Sequence, residues 1–129
     1  MTQSIFKEKY PVWTLELKKD EVKQTSVKEF IEYFKEKIDA HPVATFIATF
    51  DHYSHTKSLP EHKINPDIKD VQNIIFCFGK EIPTTKAAAV RPRSIGICEM
   101  EDSFIIEFME APSEQGHKTM EEWAKALKC

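Results

Sequence analysis

An α+β fold is predicted, ordered β-α-β4-α, with one antiparallel five-stranded sheet and two main helices on one face. Three features predict it. Two segments, one opening at Ser26 and one near the C-terminus, carry apolar residues at helical spacing. Five short segments are rich in β-branched and aromatic residues. The last two of these are separated only by Glu101 and Asp102, the spacing of a hairpin. The 129 residues suit one domain. It is read as residues 11–129, preceded by a polar N-terminal arm over residues 1–10.

The first strand is residues 11–17, where Trp13, Leu15 and Leu17 share one face and Val12, Thr14 and Glu16 the other. Ser26-Val27-Lys28-Glu29 fits a capping box, so the first helix starts there. Val27, Phe30, Ile31, Phe34 and Ile38 form its apolar stripe, and it stops before His41-Pro42, since a residue preceding proline avoids the helical region. Residues 43–51 form the second strand, with Phe46, Ala48 and Phe50 expected on one face. Residues 52–70 read as a short helical turn and a loop. The third strand is residues 71–79, with Ile74 to Phe78 in succession. Residues 80–93 form a connection whose centre, 84–90, is expected to make about two helical turns. Strands at 94–100 and 103–109 follow. The final helix is expected to start after Gly116, with Thr119-Met120-Glu121-Glu122 as a second capping box and Met120, Trp123, Ala124 and Leu127 as its stripe.

Composition narrows the partners. Hydrophobic residues are 41% and charged residues 30%, and the net charge is -3. Arg91 and Arg93 are the only arginines. A duplex-DNA reader needs a basic face, commonly with arginine forks, so no nucleic-acid partner is expected. No apolar run reaches the ~18 residues of a membrane span, so no membrane partner is expected. The opening MTQSIFKEKYPVW is too charged for the apolar core of a signal peptide. The three cysteines, Cys77, Cys98 and Cys129, cannot all pair within one chain, which suits free thiols in a reduced, cytoplasmic protein.

The last three strands do not alternate. Ile74, Phe76 and Phe78 oppose Ile75, Cys77 and Gly79, Ile95 and Ile97 oppose Gly96, Cys98 and Met100, and Phe104, Ile106 and Phe108 oppose Ile105, Glu107 and Met109. Two helices cover one sheet face, so the second needs a cover of its own. Each large apolar side chain contributes ~1.5–3 kcal/mol when buried, and about five per chain offset the ~4–15 kcal/mol cost of association. The expectation is a homodimer through this second face. A small ligand, or the loop at 52–70 folded back, are the alternatives.

Site candidates are few. Thr84 or Thr85 would cap a helix whose N–H groups face an anion, and Lys80, Lys86, Arg91 and Arg93 are close in sequence. Thr84, Thr85, Lys86, Arg91 and Arg93 are therefore the candidate contacts for a small anionic ligand. On a helical turn, His52 and His55 share a side and would bind a divalent metal with Asp51 or His62. Cys77 and Cys98 lie in apolar runs and read as core residues rather than reactive thiols. There is no G-x-S-x-G, C-x-x-C or paired-carboxylate motif, so no catalytic residue is named and no cofactor is expected.

Several motifs resemble the bacterial and archaeal domain of unknown function 302 family. They are the Phe-rich strand ending in Phe50-Asp51-His52, then Asn73-Ile74-Ile75-Phe76-Cys77-Phe78-Gly79, then Pro83-Thr84-Thr85-Lys86, Arg91-Pro92-Arg93-Ser94-Ile95 and Ala111-Pro112. Here Lys80-Glu81-Ile82-Pro83 stands where that family has Asn-Pro. The resemblance implies a TATA-box-binding-protein-like α+β fold that is usually dimeric, and no chemistry. The functional expectation is a homodimeric, non-enzymatic module that binds a ligand or a protein. Two alternatives stand beside it. One is a small enzyme with a site between the turn at residues 51–55 and the connection at 80–93. The other is a metal or redox sensor using His52 and His55.

Overall fold

Alternating and helical patterns resolve, in the computed structural model, into β1 (Thr2–Phe6), β2 (Tyr10–Lys18), a 3₁₀ turn (Lys19–Glu21), α1 (Val27–Ala40), β3 (Ala44–Phe50), α2 (His52–Lys57), β4 (Asp70–Phe78), α3 (Ala87–Val90), β5 (Arg93–Glu99), β6 (Ser103–Met109) and α4 (Glu114–Lys125). The structure describes residues 1–7 and 9–128; Cys129 lies outside them. Among the described residues six strands, not five, form one antiparallel sheet in the order β1-β2-β6-β5-β4-β3. The extra strand is the segment read as a polar arm. Its residues are exposed throughout, and it is held to β2 by backbone pairing from Thr2↔Thr14 to Phe6↔Tyr10. An edge strand stabilised in this way needs no apolar alternation.

The core lies on one side of the sheet. Val27, Phe30, Ile31, Phe34 and Ile38 of α1 and Met120, Trp123 and Ala124 of α4 meet Leu17, Ile74, Phe76, Ile95, Ile97, Phe104 and Ile106 in one cluster. Tyr33 Oη donates to the Trp123 carbonyl at 2.7 Å, which ties the two helices together. Trp13 packs against this cluster, as its strand face predicted.

Ser26 caps α1, its Oγ accepting from Glu29 N–H at 3.3 Å, but the Glu29 carboxylate accepts from Thr25 N–H at 2.6 Å, one residue before the cap. The second capping box is corrected: α4 starts at Glu114 behind Ser113, and Thr119 lies inside the helix, donating to the Gln115 carbonyl at 2.9 Å. The turns expected over 84–90 reduce to α3, because Thr84 is spent on a turn before the helix, its Oγ1 accepting from Lys86 N–H at 3.1 Å. Phe46 and Phe50 do not share a face. A bulge between Phe46 and Ala48 puts Phe46 opposite Phe76 on the helix side and Phe50 opposite Asn73 on the other.

Among the described residues no helix covers the centre of the second face, where Ile75, Ser94, Gly96, Cys98, Ile105 and Glu107 are half-buried. Of residues 52–70, His52 alone reaches the concavity there, so the loop does not close over it. Among the described residues, no helix is long and apolar enough to cross a membrane.

Candidate functional site

At one end of the sheet β4 stops, β5 starts and α4 begins. Gly79 turns the chain out of β4 at φ +106°, a left-handed conformation that favours glycine. A Cβ there would stand 2.7 Å from Arg91 Nη2, so the missing side chain also gives the Arg91 guanidinium its seat. Arg91 Nη1 donates to the Glu81 carbonyl at 2.7 Å. Arg93 projects from β5 on the helix side, opposite Phe76, and its Nη2 donates to the Met109 carbonyl. Its Nε is buried without a partner. Burial lowers the Arg93 pKa, because a desolvated cation is less stable than a hydrated one. Among the described residues neither arginine forms a salt bridge.

These side chains face a cavity of about 460 Å³. Thr84, Lys86, Arg91 and Arg93 all line it; Thr85 does not. Lys80 faces a neighbouring hollow instead. Phe78, Val90, Ala111 and Pro112 supply apolar walls, and the start of α4 closes one side through Ser113 and Gly116. Ser113 Oγ accepts from Gly116 N–H at 3.3 Å, and a Cβ on Gly116 would come 3.6 Å from Phe78 Cδ2. The walls were missed in the sequence. The signal was Pro112-Ser113-Glu114, a capping serine followed by an acidic first turn.

The histidines are placed otherwise. Asp51 caps α2 by accepting from Ser54 N–H at 3.1 Å. His52 and His55 flank the Phe50 ring, at centroid distances of 5.0 and 5.4 Å. His62 Nδ1 lies 3.0 Å from the Leu59 carbonyl oxygen. Among the described residues no group of three or more His, Cys, Asp or Glu could hold a metal ion. His52 and the arginine cavity are also far apart. They lie on opposite faces, and the strand from Asn73 to Gly79 alone spans roughly 20 Å at ~3.3 Å per residue.

A second concavity, of about 620 Å³, lies on the uncovered face. One cross-strand row runs along it: Phe50↔Asn73, Asn73↔Gly96, Gly96↔Glu107 and Thr14↔Glu107. Gly96 leaves a dip in the middle of the row. His52 Nδ1–H donates to Asn73 Oδ1 at 3.0 Å, and Asn73 Nδ2 donates to Ser94 Oγ at 3.1 Å. An amide cannot relay a proton as a carboxylate or imidazole can, so this chain orients groups and does not activate Ser94 as a nucleophile. Thr14 Oγ1 donates to Glu107 Oε2 at 2.8 Å. Cys98 is half-buried beside these groups rather than in the core. Burial raises its pKa, and the Glu107 and Asp70 carboxylates raise it further, which opposes thiolate formation. Cys77 is also half-buried, near the far end of β4 from the Val71↔Cys98 pair, so the two cannot bridge.

A model of a family described as "Family of unknown function (DUF6858)" matches residues 1–129. No curated protein and no solved structure matches the chain.

Proposed function

The chain belongs to the family of unknown function DUF6858, a membership that carries no chemistry, and we propose from the geometry that it is a non-enzymatic module that binds a small organic anion. The ligand is a carboxylate or phosphate on a compact apolar body. The observation that carries this reading is Arg93: a half-buried guanidinium without a carboxylate, one nitrogen unpartnered, facing a cavity with apolar walls. A partly desolvated cation without a carboxylate beside it is costly, and an anion in the cavity supplies the opposite charge. Arg91 and Lys86 add positive charge at the mouth, and the apolar walls accept the ligand body. The two hydroxyl side chains lining the cavity, Thr84 and Ser113, each hold a backbone N–H, which argues for binding rather than covalent chemistry. The family that matches is not the domain of unknown function 302 family that the motifs resemble, and that resemblance adds no chemistry to this reading.

Benzoate and phenyl phosphate are suitable probes, titrated by calorimetry. Arg93→Gln is expected to weaken binding by about tenfold or more, since a charge-assisted hydrogen bond contributes ~1.5–3 kcal/mol. Arg93→Lys, which keeps the charge and loses the fork, should fall between the two. Failure of both probes to bind at millimolar concentration, or equal affinity in Arg93→Gln, overturns the proposal.

A further inference from the structure

We propose that the concave centre of the uncovered sheet face is a second binding site, for a small organic cation whose ammonium or amidinium meets Glu107 while its apolar body lies across Gly96. This does not rest on the anion site, which is on the other side of the sheet.

Three observations converge on it. First, Glu107 is a half-buried carboxylate with one oxygen committed to Thr14, and among the described residues it has no salt-bridge partner. The lysine in the lining, Lys7, has its Nζ over the Phe6 ring at 5.5 Å from the centroid. Second, the side chains fixed around the concavity keep acceptor capacity beside Glu107. Asn73 Oδ1 lies 3.0 Å from His52 Nδ1, and Ser94 Oγ accepts from Asn73 Nδ2 at 3.1 Å and keeps a second lone pair. These acceptors suit the N–H groups of a ligand whose positive charge Glu107 balances. Third, the space is shaped for an apolar body: Gly96 has no side chain in the middle of the row, and Val12, Val71 and Met109 border the dip.

A second copy of the chain is the rival occupant. A two-fold interface places the same patch against itself. Centred on this row, it would bring Glu107 toward its symmetry mate and bury two like charges together, which is costly. A small cation removes that cost.

The test uses phenethylammonium with the full chain, followed by backbone amide shifts and calorimetry. Saturable binding is expected, with the largest shifts at Asn73, Gly96 and Glu107. Glu107→Gln should weaken it at least about tenfold, the loss of one charge-assisted contact. Gly96→Val should abolish it by filling the dip. A Cβ at Gly96 meets only ordinary contacts, 3.4 Å to Asn73 Nδ2 and 3.7 Å to the Glu107 carbonyl oxygen, and valine suits a strand. Unchanged benzoate binding in both variants shows that they are folded and keeps this site distinct from the arginine cavity. If benzoate binds to neither variant nor to the parent chain, the circular dichroism spectrum serves as the fold control. Absence of saturable binding to the parent chain overturns the proposal. Undiminished binding in the two variants also overturns it. So does light scattering that shows a dimer strengthened by Glu107→Gln and unaffected by phenethylammonium, because a second copy then occupies the face.

Discussion

The two faces of β4, β5 and β6 come from the same residues read alternately, yet they differ in kind. On the helix side Ile74, Phe76, Ile95, Ile97, Phe104 and Ile106 are all 0% exposed. On the other side Ile75, Ser94, Gly96, Cys98, Ile105 and Glu107 are half-buried, and hydrogen-bonded side chains occupy the middle of the face. The first face repays the chain entropy lost on folding. The second holds a half-buried carboxylate and amide and an exposed imidazole in place by hydrogen bonds. A sheet covered on one side can hold fixed polar groups on the other because its strands are already locked from behind.

The largest effect that would break this contrast is in side-chain truncation. Phe76→Ala is expected to lower the unfolding free energy by ~3–5 kcal/mol, as for other fully buried aromatics. Its neighbour Ile75→Ala, on the uncovered face, should cost about 1 kcal/mol, since only part of its apolar surface is removed from water on folding. Urea denaturation of both variants measures the difference. Equal losses would mean that the second face is as well covered in solution as the first.

Next in size is Gly79→Ala, which sharpens the contrast between the two concavities. Alanine at φ +106° is strained, and its Cβ would displace the Arg91 guanidinium. The expected loss of stability is about 1–2 kcal/mol, the cost of a left-handed residue. Affinity for benzoate should fall with it, while phenethylammonium binding stays unchanged. A parallel fall in both would show that the two sites are coupled through the sheet.

How much of this was legible follows from what each feature depends on. The stripes of α1 and the faces of β2, β4 and β6 were readable because burial on one side imposes a period on the sequence. Phe50 was misplaced because a bulge changes the register without changing composition, and nothing in Ala44–Phe50 marks it. β1 was missed because an edge strand held by backbone pairing leaves no apolar trace. Thr84, Lys86, Arg91 and Arg93 were legible as a group because they are close in sequence. The row Asn73–Gly96–Glu107–Thr14 was not, since its members come from four strands and meet only through pairing.

The smallest expected effect concerns the ends of the sheet. The end with Arg91 and Arg93 carries unpaired positive charge. At the far end Asp70 pairs in register with Glu99. Burial raises the Asp70 pKa most, the Val71 N–H bond lowers it, and the Asp51 and Glu99 carboxylates raise it again. The folded state therefore holds the Asp70 proton more tightly than the unfolded state. Its favourable contribution is present below the unfolded pKa and is lost as pH rises through the folded one, so at neutral pH ionised Asp70 destabilises the fold. Asp70→Asn keeps an oxygen for the Val71 N–H, now accepted by Asp70 Oδ1 at 2.8 Å, and removes the charge. A gain of no more than about 0.5 kcal/mol is expected at neutral pH, the range of surface substitutions, shrinking as the pH is lowered through the carboxylate range. Thermal melts at neutral and acid pH read this difference. A gain that persists unchanged in acid would show that the carboxylate's charge is not its source, and would remove the electrostatic distinction between the two ends.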